Sequence, residues 1–355
     1  MKIGPVKSGP VKSGPVDPGP RSNPTALAGD ELIRAISGFT DKLLPREHHI
    51  PEIDLLYKMM RDYPNRPGKM IRSSLLVASC LAHGGTLAAA LPLAVALELF
   101  QNWVLIHDDI EDDSDERRGK PALHRLHPVS LAINAGDALH VYMWQVVHRA
   151  NVPGAFEEFL EMIHRTAEGQ HIDLGWVEAK RWDITQTDYL ELVRRKTARY
   201  TVVSPLRLGA LAAGCVPDPR LSEAGMDLGI AFQIRDDVLN LTGDFATYGK
   251  EIAGDLLEGK RTLMLVHLLE HADAPTTARV MATLERARAD KTQAEIDFIL
   301  EQMRLCGSIS HAQTLAEAHA NRGLKTLEAA LEDLPGRDAV RQILSTARSL
   351  ASRVA

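Results

Sequence analysis

The stretch of sequence that decides the fold is residues 91–113, LPLAVALELFQNWVLIHDDIEDD. From Leu91 to Ile110 the residues are strongly apolar with few breaks. A helix that is apolar on most of its sides is normally buried on most of its sides. The pattern therefore predicts a central core helix whose last turn carries carboxylates.

Seven carboxylates lie within the nine positions from Asp108 to Glu116. Asp108 and Asp112 are one helical turn apart, so they share a face and repel each other unless a cation lies between them. Carboxylates at the mouth of an apolar bundle are costly to desolvate unless a metal ion or an arginine compensates them. For this cluster alone, a solvated acidic surface is the alternative interpretation.

A second acidic cluster lies in residues 232–244, FQIRDDVLNLTGD. Asp236 and Asn240 again share one helical face at a spacing of four residues. Magnesium prefers oxygen ligands together with water and substrate phosphates over an all-protein cage. Two such faces could hold several magnesium ions around one diphosphate, and two clusters on apolar helices are much rarer by chance than one.

Two pairs of basic residues accompany the acidic clusters. Lys69 and Arg72 lie next to a glycine at a predicted helix start, where they make a suitable phosphate cradle. Arg117 and Arg118 follow the first acidic cluster directly, and simple pairing with the neighbouring acids is the alternative interpretation for them.

The composition favours a helical globular chain. Of 355 residues, 45% are hydrophobic and only 5% aromatic, which favours helix over sheet. The net charge of the chain is -6, so its overall charge does not favour binding to nucleic acid. Three widely spaced cysteines without zinc spacing predict a reducing, cytoplasmic location. We find no run of 18 apolar residues, so no membrane span is expected.

Residues 1–25 differ from the rest, because a Gly-Pro-Val repeat there cannot bury a core and predicts a disordered tail. Residues 26–355 predict a single helical domain, in which Tyr189–Ala213 and Leu256–His271 are two of the expected helical stretches.

Together these motifs resemble those of the trans isoprenyl diphosphate synthases, the polyprenyl synthetase family, over residues 26–355. The motifs that carry the resemblance are Gly68-Lys69-Met70-Ile71-Arg72, Asp108-Asp109-Ile110-Glu111-Asp112 with Arg117-Arg118-Gly119, Lys196-Thr197, residues 232–240, Gly249-Lys250, Asp255 and Gly259-Lys260. There are two departures from the family pattern: Pro67 and Ser73 flank the first basic motif, and Asn240 stands where many members carry Asp.

The resemblance implies an all-α fold, an antiparallel helical bundle around a deep central cavity. It also implies a homodimer of the short-chain type, with three magnesium ions per active site. The implied reaction is the head-to-tail condensation of isopentenyl diphosphate with an allylic diphosphate of the C5 to C15 classes.

The resemblance also implies a role for each matching residue. In the implied magnesium site, the direct ligands are Asp108, Asp112 and Asp236, and the supporting or water-mediated ones are Asp109, Asp237 and Asn240. The implied allylic diphosphate site is Arg117, Lys196, Lys250 and Lys260, and the implied isopentenyl diphosphate site is Lys69, Arg72, Gln101 and Arg118. The implied catalytic set is Lys196, Thr197, Gln233 and Lys250, in which Thr197 and Gln233 stabilise the developing carbocation.

Product length should follow the depth of the pocket beneath Asp108. Val104 lies one helical turn before Asp108, and Trp103 and Phe100 lie deeper along the same helix. The resemblance implies that Trp103 forms the floor, and a bulky floor favours a C15 to C20 product. Ordinary core packing is the alternative role for Trp103.

Three other functions compete with this interpretation. A class I terpene cyclase shares the fold and the first acidic motif but lacks an isopentenyl diphosphate site such as Lys69 and Arg72. A di-iron protein would use the Glu-x-x-His motifs Glu161–His164 and Glu168–His171, but both lie on one predicted helix, whereas such sites need two. A non-catalytic subunit of a heteromeric synthase is the remaining alternative.

Overall fold

The computed structural model describes residues 29–66, 68–243 and 253–351. The predicted tail, residues 1–25, and the predicted site residue Lys250 lie outside the described residues. The α-helices of the described part are α1 Gly29–Leu43, α2 Pro51–Asp62, α3 Ile71–Ala82, α4 Leu87–Glu111, α5 Leu123–Leu126, α6 Val129–Ala150, α7 Ala155–Glu178, α8 Gln186–Val193, α9 Ser204–Ala212, α10 Pro219–Thr242, α11 Gly254–Glu258, α12 Leu263–His271, α13 Ala274–Leu284, α14 Gln293–Leu305, α15 Ser308–Leu331 and α16 Arg337–Ala351.

The prediction of an all-α fold is confirmed. In the described ranges the only strands are β1 Glu116–Arg117 and β2 Lys120–Pro121, a short antiparallel pair directly after the first acidic cluster. Arg66, which is buried, donates to the carbonyls of Arg117 at 2.8 Å and Pro121 at 2.9 Å. The buried guanidinium thus holds this pair of strands against the bundle.

Helix α4 is the central helix of the core, as its apolar sequence predicts. The Thr86 side chain accepts from the Ala89 amide and caps its first turn. From Leu93 to Phe100 nearly every side chain is fully buried, against α3, α6 and α9. By length and composition alone α4 could cross a bilayer, but 61% of its apolar window is buried inside the fold. Burial of this kind is typical of a core helix.

The structure corrects two helical predictions. The stretch Tyr189–Ala213 is not one α-helix, because residues Arg194–Val203 form a π-helix between α8 and α9. The stretch Leu256–His271 is interrupted at Gly259, whose φ of 76° ends α11 in the left-handed conformation that glycine adopts without strain.

The π-helix is held by close contact with two neighbouring helices. A side-chain carbon added at Gly169 of α7 would lie 2.6 Å from the Lys196 Cα, and one added at Gly229 of α10 would lie 2.4 Å from the Ala198 Cα. Only glycine allows these main chains to approach so closely. π-helical segments often occur at functional sites. The presence of Lys196 and Thr197 on this one therefore indicates that it belongs to the active site.

Candidate active site

In the first acidic cluster, Asp109 points into the protein, whereas Asp108 and Asp112 lie on a different face of α4. The Asp109 side chain is fully buried and accepts from Arg117 Nε at 2.9 Å and from the Tyr63 hydroxyl. Burial lowers the pKa of Arg117, but the hydrogen bonds and the charge of Asp109 outweigh it and raise that pKa overall. Arg117 Nη2 also lies 3.5 Å from the Asp108 carboxylate. Asp109 is thus tied to the protein, while Asp108 and Asp112 occupy the other face.

Asp108 and Asp112 are held by partners from distant parts of the chain. Gln170 of α7 donates to Asp108 at 3.3 Å, and Lys260 Nζ donates to Asp112 at 2.7 Å. Burial, reinforced by the charge of Asp108, raises the pKa of Asp112 to about 7 even though Lys260 opposes the shift. In the chain alone, burial thus disfavours the charged form of Asp112, and a divalent cation bound at this face would favour it.

The second acidic cluster shows the same division. Asp237 is buried and accepts from the Tyr189 hydroxyl at 2.7 Å and from Gln233 Nε2 at 2.6 Å. Burial and the charge of Asp255 raise the pKa of Asp237 to about 8. Asp236 is half-buried one residue earlier. Asn240 Oδ1 accepts from the Asp255 amide at 3.2 Å, so this amide joins α10 to the start of α11.

The π-helix links the two acidic clusters. Thr197 Oγ1 donates to Gln233 Oε1 at 2.7 Å, and Gln233 in turn donates to Asp237. The neighbouring Lys196 forms an ion pair with Asp173 of α7. Burial lowers the pKa of Lys196, but Asp173, Asp108 and Asp112 together raise it well above its usual range. Lys196 therefore lies in the field of the first cluster while Thr197 contacts the second.

Lys260 approaches the first cluster from the turn after α11. Its ammonium group lies 2.7 Å from both Asp112 and Glu258, and the charge of Asp255 acts on it as well. Gly259 makes the tight turn that aims this side chain. A cation thus stands between carboxylates that come from α4 and α11.

The predicted isopentenyl diphosphate residues lie beside the first cluster. Arg118 donates to the carbonyl of Tyr63 at 3.2 Å, and its guanidinium carbon would lie 3.2 Å from a side-chain carbon at Gly68. Arg72 donates to Thr201 Oγ1 at 3.0 Å and lies over the Tyr200 ring. Two further members complete the set: Lys69 is exposed before α3, and Gln101 is half-buried on α4.

Sequence reasoning missed several residues that shape this site. Buried Glu98 accepts from Ser73 at 2.7 Å and lies in the fields of Arg72 and Arg118, although burial raises its pKa overall. A lone glutamate inside the apolar run of α4 was the available signal. No motif or spacing in the sequence marks the other residues that bind the site residues, which are Tyr63, Asp173, Tyr189 and Glu258.

Two of the three residues predicted to set product length, Phe100 and Trp103, belong to an aromatic cluster, and the third, Val104, is half-buried on α4. The Phe100 ring meets the rings of Trp103 and Tyr200 edge-on at 5.8 and 5.7 Å. Trp103 stacks on His140 of α6 at 4.0 Å, and His140 Nε2 accepts from Trp144 at 2.7 Å. Trp103 is therefore packed between α4 and α6.

Within the described ranges, no three acidic, histidine or cysteine side chains converge into a ready metal cage. This geometry is consistent with magnesium, which usually takes one or two carboxylates together with water and substrate phosphates. It does not fit a di-iron centre, since Glu161 and Glu168 instead form ion pairs with Arg165 at 3.0 and 2.8 Å.

The chain is similar in sequence to known prenyl diphosphate synthases. A family model described as polyprenyl synthetase matches residues 53–303. A geranylgeranyl diphosphate synthase of Methanosarcina mazei is 33% identical over 311 residues, which cover 85% of this chain and 91% of that protein. An octaprenyl diphosphate synthase of Escherichia coli is 30% identical over 275 residues, which cover 77% of this chain and 83% of that protein.

A solved structure has the same fold. The geranylgeranyl pyrophosphate synthase from Corynebacterium glutamicum, complexed with isoprenyl diphosphate and magnesium, superposes with a TM-score of 0.80. The alignment has 27% identity and covers 92% of this chain and 100% of that chain.

Proposed function

Because the chain belongs to the polyprenyl synthetase family and is a prenyltransferase, we propose that it condenses isopentenyl diphosphate with an allylic diphosphate of the C5 to C15 classes. The products would be a C15 to C20 all-trans prenyl diphosphate and inorganic diphosphate. The supporting observation is the link between two acidic clusters, in which the π-helix places Lys196 beside one cluster and Thr197 beside the other.

We propose that three magnesium ions bind between the clusters. Asp108, Asp112 and Asp236 would hold them directly, while Asn240 and the buried Asp109 and Asp237 support these ligands. The metal in the Corynebacterium glutamicum complex and the burial of Asp112 beside the like charge of Asp108 support this assignment. When bound, magnesium supplies Lewis-acid neutralisation of the departing diphosphate.

The chain's own residues supply the remaining stabilisation. Arg117, Lys196 and Lys260 bind the allylic diphosphate, whose negative charge grows as its C–O bond breaks. The partial negative charges of Thr197 Oγ1 and Gln233 Oε1 stabilise the allylic cation. Lys69, Arg72, Gln101 and Arg118 hold isopentenyl diphosphate with its double bond about 3–3.5 Å from that cation. A proton is then lost to the departing diphosphate, so no protein base is required.

The purified chain itself provides the test of this function. We expect it to consume labelled isopentenyl diphosphate in the presence of magnesium and an allylic starter, and to release diphosphate. Conversion of a single allylic diphosphate into a hydrocarbon would instead indicate a terpene cyclase. Inactivity of the lone chain, restored by a second subunit, would indicate a partner role.

Trp103→Ala is expected to lengthen the main product by at least one five-carbon unit. Removal of the indole that stacks on His140 opens space below Val104, where the growing chain would extend. Chromatography of the dephosphorylated products measures the chain length. Trp176→Ala is the matched control, because Trp176 is equally large but packs in a separate cluster with Ile184. An unchanged product from Trp103→Ala would leave Trp103 with a packing role only.

We further propose that the chain is a cytoplasmic homodimer. Its cysteines are free, which fits a reducing compartment. Large exposed apolar side chains are concentrated on α5, α6 and α7, and such a patch marks an interaction surface. Its members are Leu126, Val129, Leu131, Ile133, Val141, Phe156 and Leu160.

Val141→Glu is expected to convert the dimer into monomers. Val141 is 60% exposed on α6, and a charge buried at an apolar interface is costly. Sedimentation velocity measures the change. Val216→Glu is the control, since Val216 is 92% exposed but lies between α9 and α10 and not on α5, α6 or α7. If both variants sediment like the unaltered chain, this face is not the interface.

A further inference from the structure

A cleft of about 260 Å³ extends from the first acidic cluster past Lys260. Its near end contains Asp112 and Asp173, which belong to the site described above. The rest of its lining contains five cations that none of the sequence motifs includes, together with the carboxylates of Glu178, Glu258 and Glu285. We call these five residues the basic wall: Lys180, Arg261, Arg286, Arg288 and Lys291.

Three separate segments of the chain build the basic wall. Lys180 follows α7, and Arg261 follows α11 directly after Lys260. The remaining three residues lie in the turn between α13 and α14, which includes a 3-10 helix at Arg288–Asp290. Segments this far apart in sequence meet only through the tertiary fold.

Two carboxylates that line the cleft beside the basic wall, Glu258 and Glu285, are already paired with cations. Glu285 lies 3.3 Å from Lys180, and Glu258 lies 3.2 Å from Arg288 and 2.7 Å from Lys260. Arg286 pairs with Glu295 of α14 at 2.5 Å. The two remaining cations of this group, Arg261 and Lys291, bind main-chain carbonyls instead. Arg261 Nε donates to the Arg181 carbonyl at 3.0 Å, and Lys291 Nζ donates to the carbonyl of Leu257 at 2.5 Å.

These two cations lie close together. A side-chain carbon at Gly259 would lie 3.7 Å from both Arg261 Nη1 and Lys291 Nζ. Burial and repulsion from Arg261, Arg288 and Arg286 lower the pKa of Lys291 to about 8. Burial likewise lowers the pKa of Arg261 to about 10. The fold therefore holds like charges together against their repulsion, and a bound anion would relieve that cost.

We propose that the basic wall is a second anion site, which binds inorganic diphosphate without a bridging metal. Guanidinium groups match phosphate oxygens in a bidentate geometry, and a lysine adds a point charge. The choice of diphosphate rests on the proposed function, because the diphosphate released beside Lys260 would face this wall. The released diphosphate would then bind the basic wall before it leaves the protein.

The structure contains a spectroscopic reporter for this site. The Trp182 ring stacks on Arg261 at 3.7 Å, and its indole nitrogen donates to Glu285 at 2.9 Å. We expect inorganic diphosphate, titrated into the full chain in excess EDTA, to change the Trp182 fluorescence in a saturable way. The same titration of Trp182→Phe is expected to give no such signal.

Arg288→Gln with Lys291→Gln is expected to weaken this metal-free binding about tenfold or more, because charge-assisted hydrogen bonds are lost. The matched control is Arg304→Gln with Lys325→Gln, an exposed pair outside the cleft, which is expected to bind like the unaltered chain. Lys291 also binds the end of α11, so Arg286→Gln with Arg288→Gln provides a second test that leaves Lys291 in place. Both wall variants are expected to weaken binding.

Lys196→Ala separates the wall from the catalytic site. We expect this variant to bind diphosphate in EDTA as the unaltered chain does. Loss of binding in Lys196→Ala, with full binding in both wall variants, would overturn the proposal by placing the anion among the catalytic residues. The absence of a saturable signal up to about 10 mM diphosphate would overturn it as well. Since the titration contains no metal and no prenyl substrate, its outcome is independent of whether the chain catalyses the proposed condensation.

Discussion

Asp108→Ala is expected to lower turnover by about 10²–10³-fold or more, the effect of removing one main electrostatic stabiliser from an active site, while leaving the fold intact. Asp108 is partly exposed, with 22% of its side chain accessible, and its protein contacts include a 3.3 Å bond from Gln170 and a 3.5 Å approach of Arg117. Loss of such contacts costs little stability. Incorporation of labelled isopentenyl diphosphate measures turnover, and thermal melting measures the fold.

Asp115→Ala is the matched control for this experiment. Asp115 belongs to the same run of acids, but its side chain is 76% exposed and pairs with Arg125 at 3.1 Å. We expect this variant to retain full activity. If Asp108→Ala remained fully active, or if both variants lost activity equally, Asp108 would not be a metal ligand.

Gly229→Ala is expected to destabilise the chain by about 1–3 kcal/mol, the usual cost of overpacking a core. The added methyl carbon would lie 2.4 Å from the Ala198 Cα. Because that neighbour is main chain, α10 and the π-helix would have to separate. The displacement would stretch the contact between Thr197 and Gln233, and a shift of about 1 Å at a reacting centre can lower the rate by about 10²-fold. Urea unfolding and turnover numbers measure the two effects.

Gly175→Ala on α7 tests whether the effect comes from the close approach. No atom lies within 4 Å of a side-chain carbon added there. Replacing a helical glycine in open space should stabilise the chain by about 0.5–1 kcal/mol and leave turnover unchanged. Equal stability and activity of Gly229→Ala and the unaltered chain would show that the packing of the π-helix is not needed for catalysis.

Much of the candidate site follows from helical spacing. Asp108 and Asp112 are placed on one face by their separation of four residues, and the structure has them so. The neighbouring Asp109 and Asp237 illustrate the limit of that reasoning. Helical spacing assigns them no role, and only the resemblance implies a supporting or water-mediated place at the metal site. Each is buried and bonded to a tyrosine from a distant part of the chain, which is consistent with a supporting role.

The sequence alone determined the all-α class, the burial of α4 and the pairing of acids on two helical faces, because each depends on the local period of a helix. The tertiary structure alone decided the π-helix and the approach of Lys260 to Asp112, which are 148 positions apart in the chain. It also decided the assembly of the basic wall. Such contacts depend on how closely helices pack and on which charges burial brings together, and no local pattern encodes either.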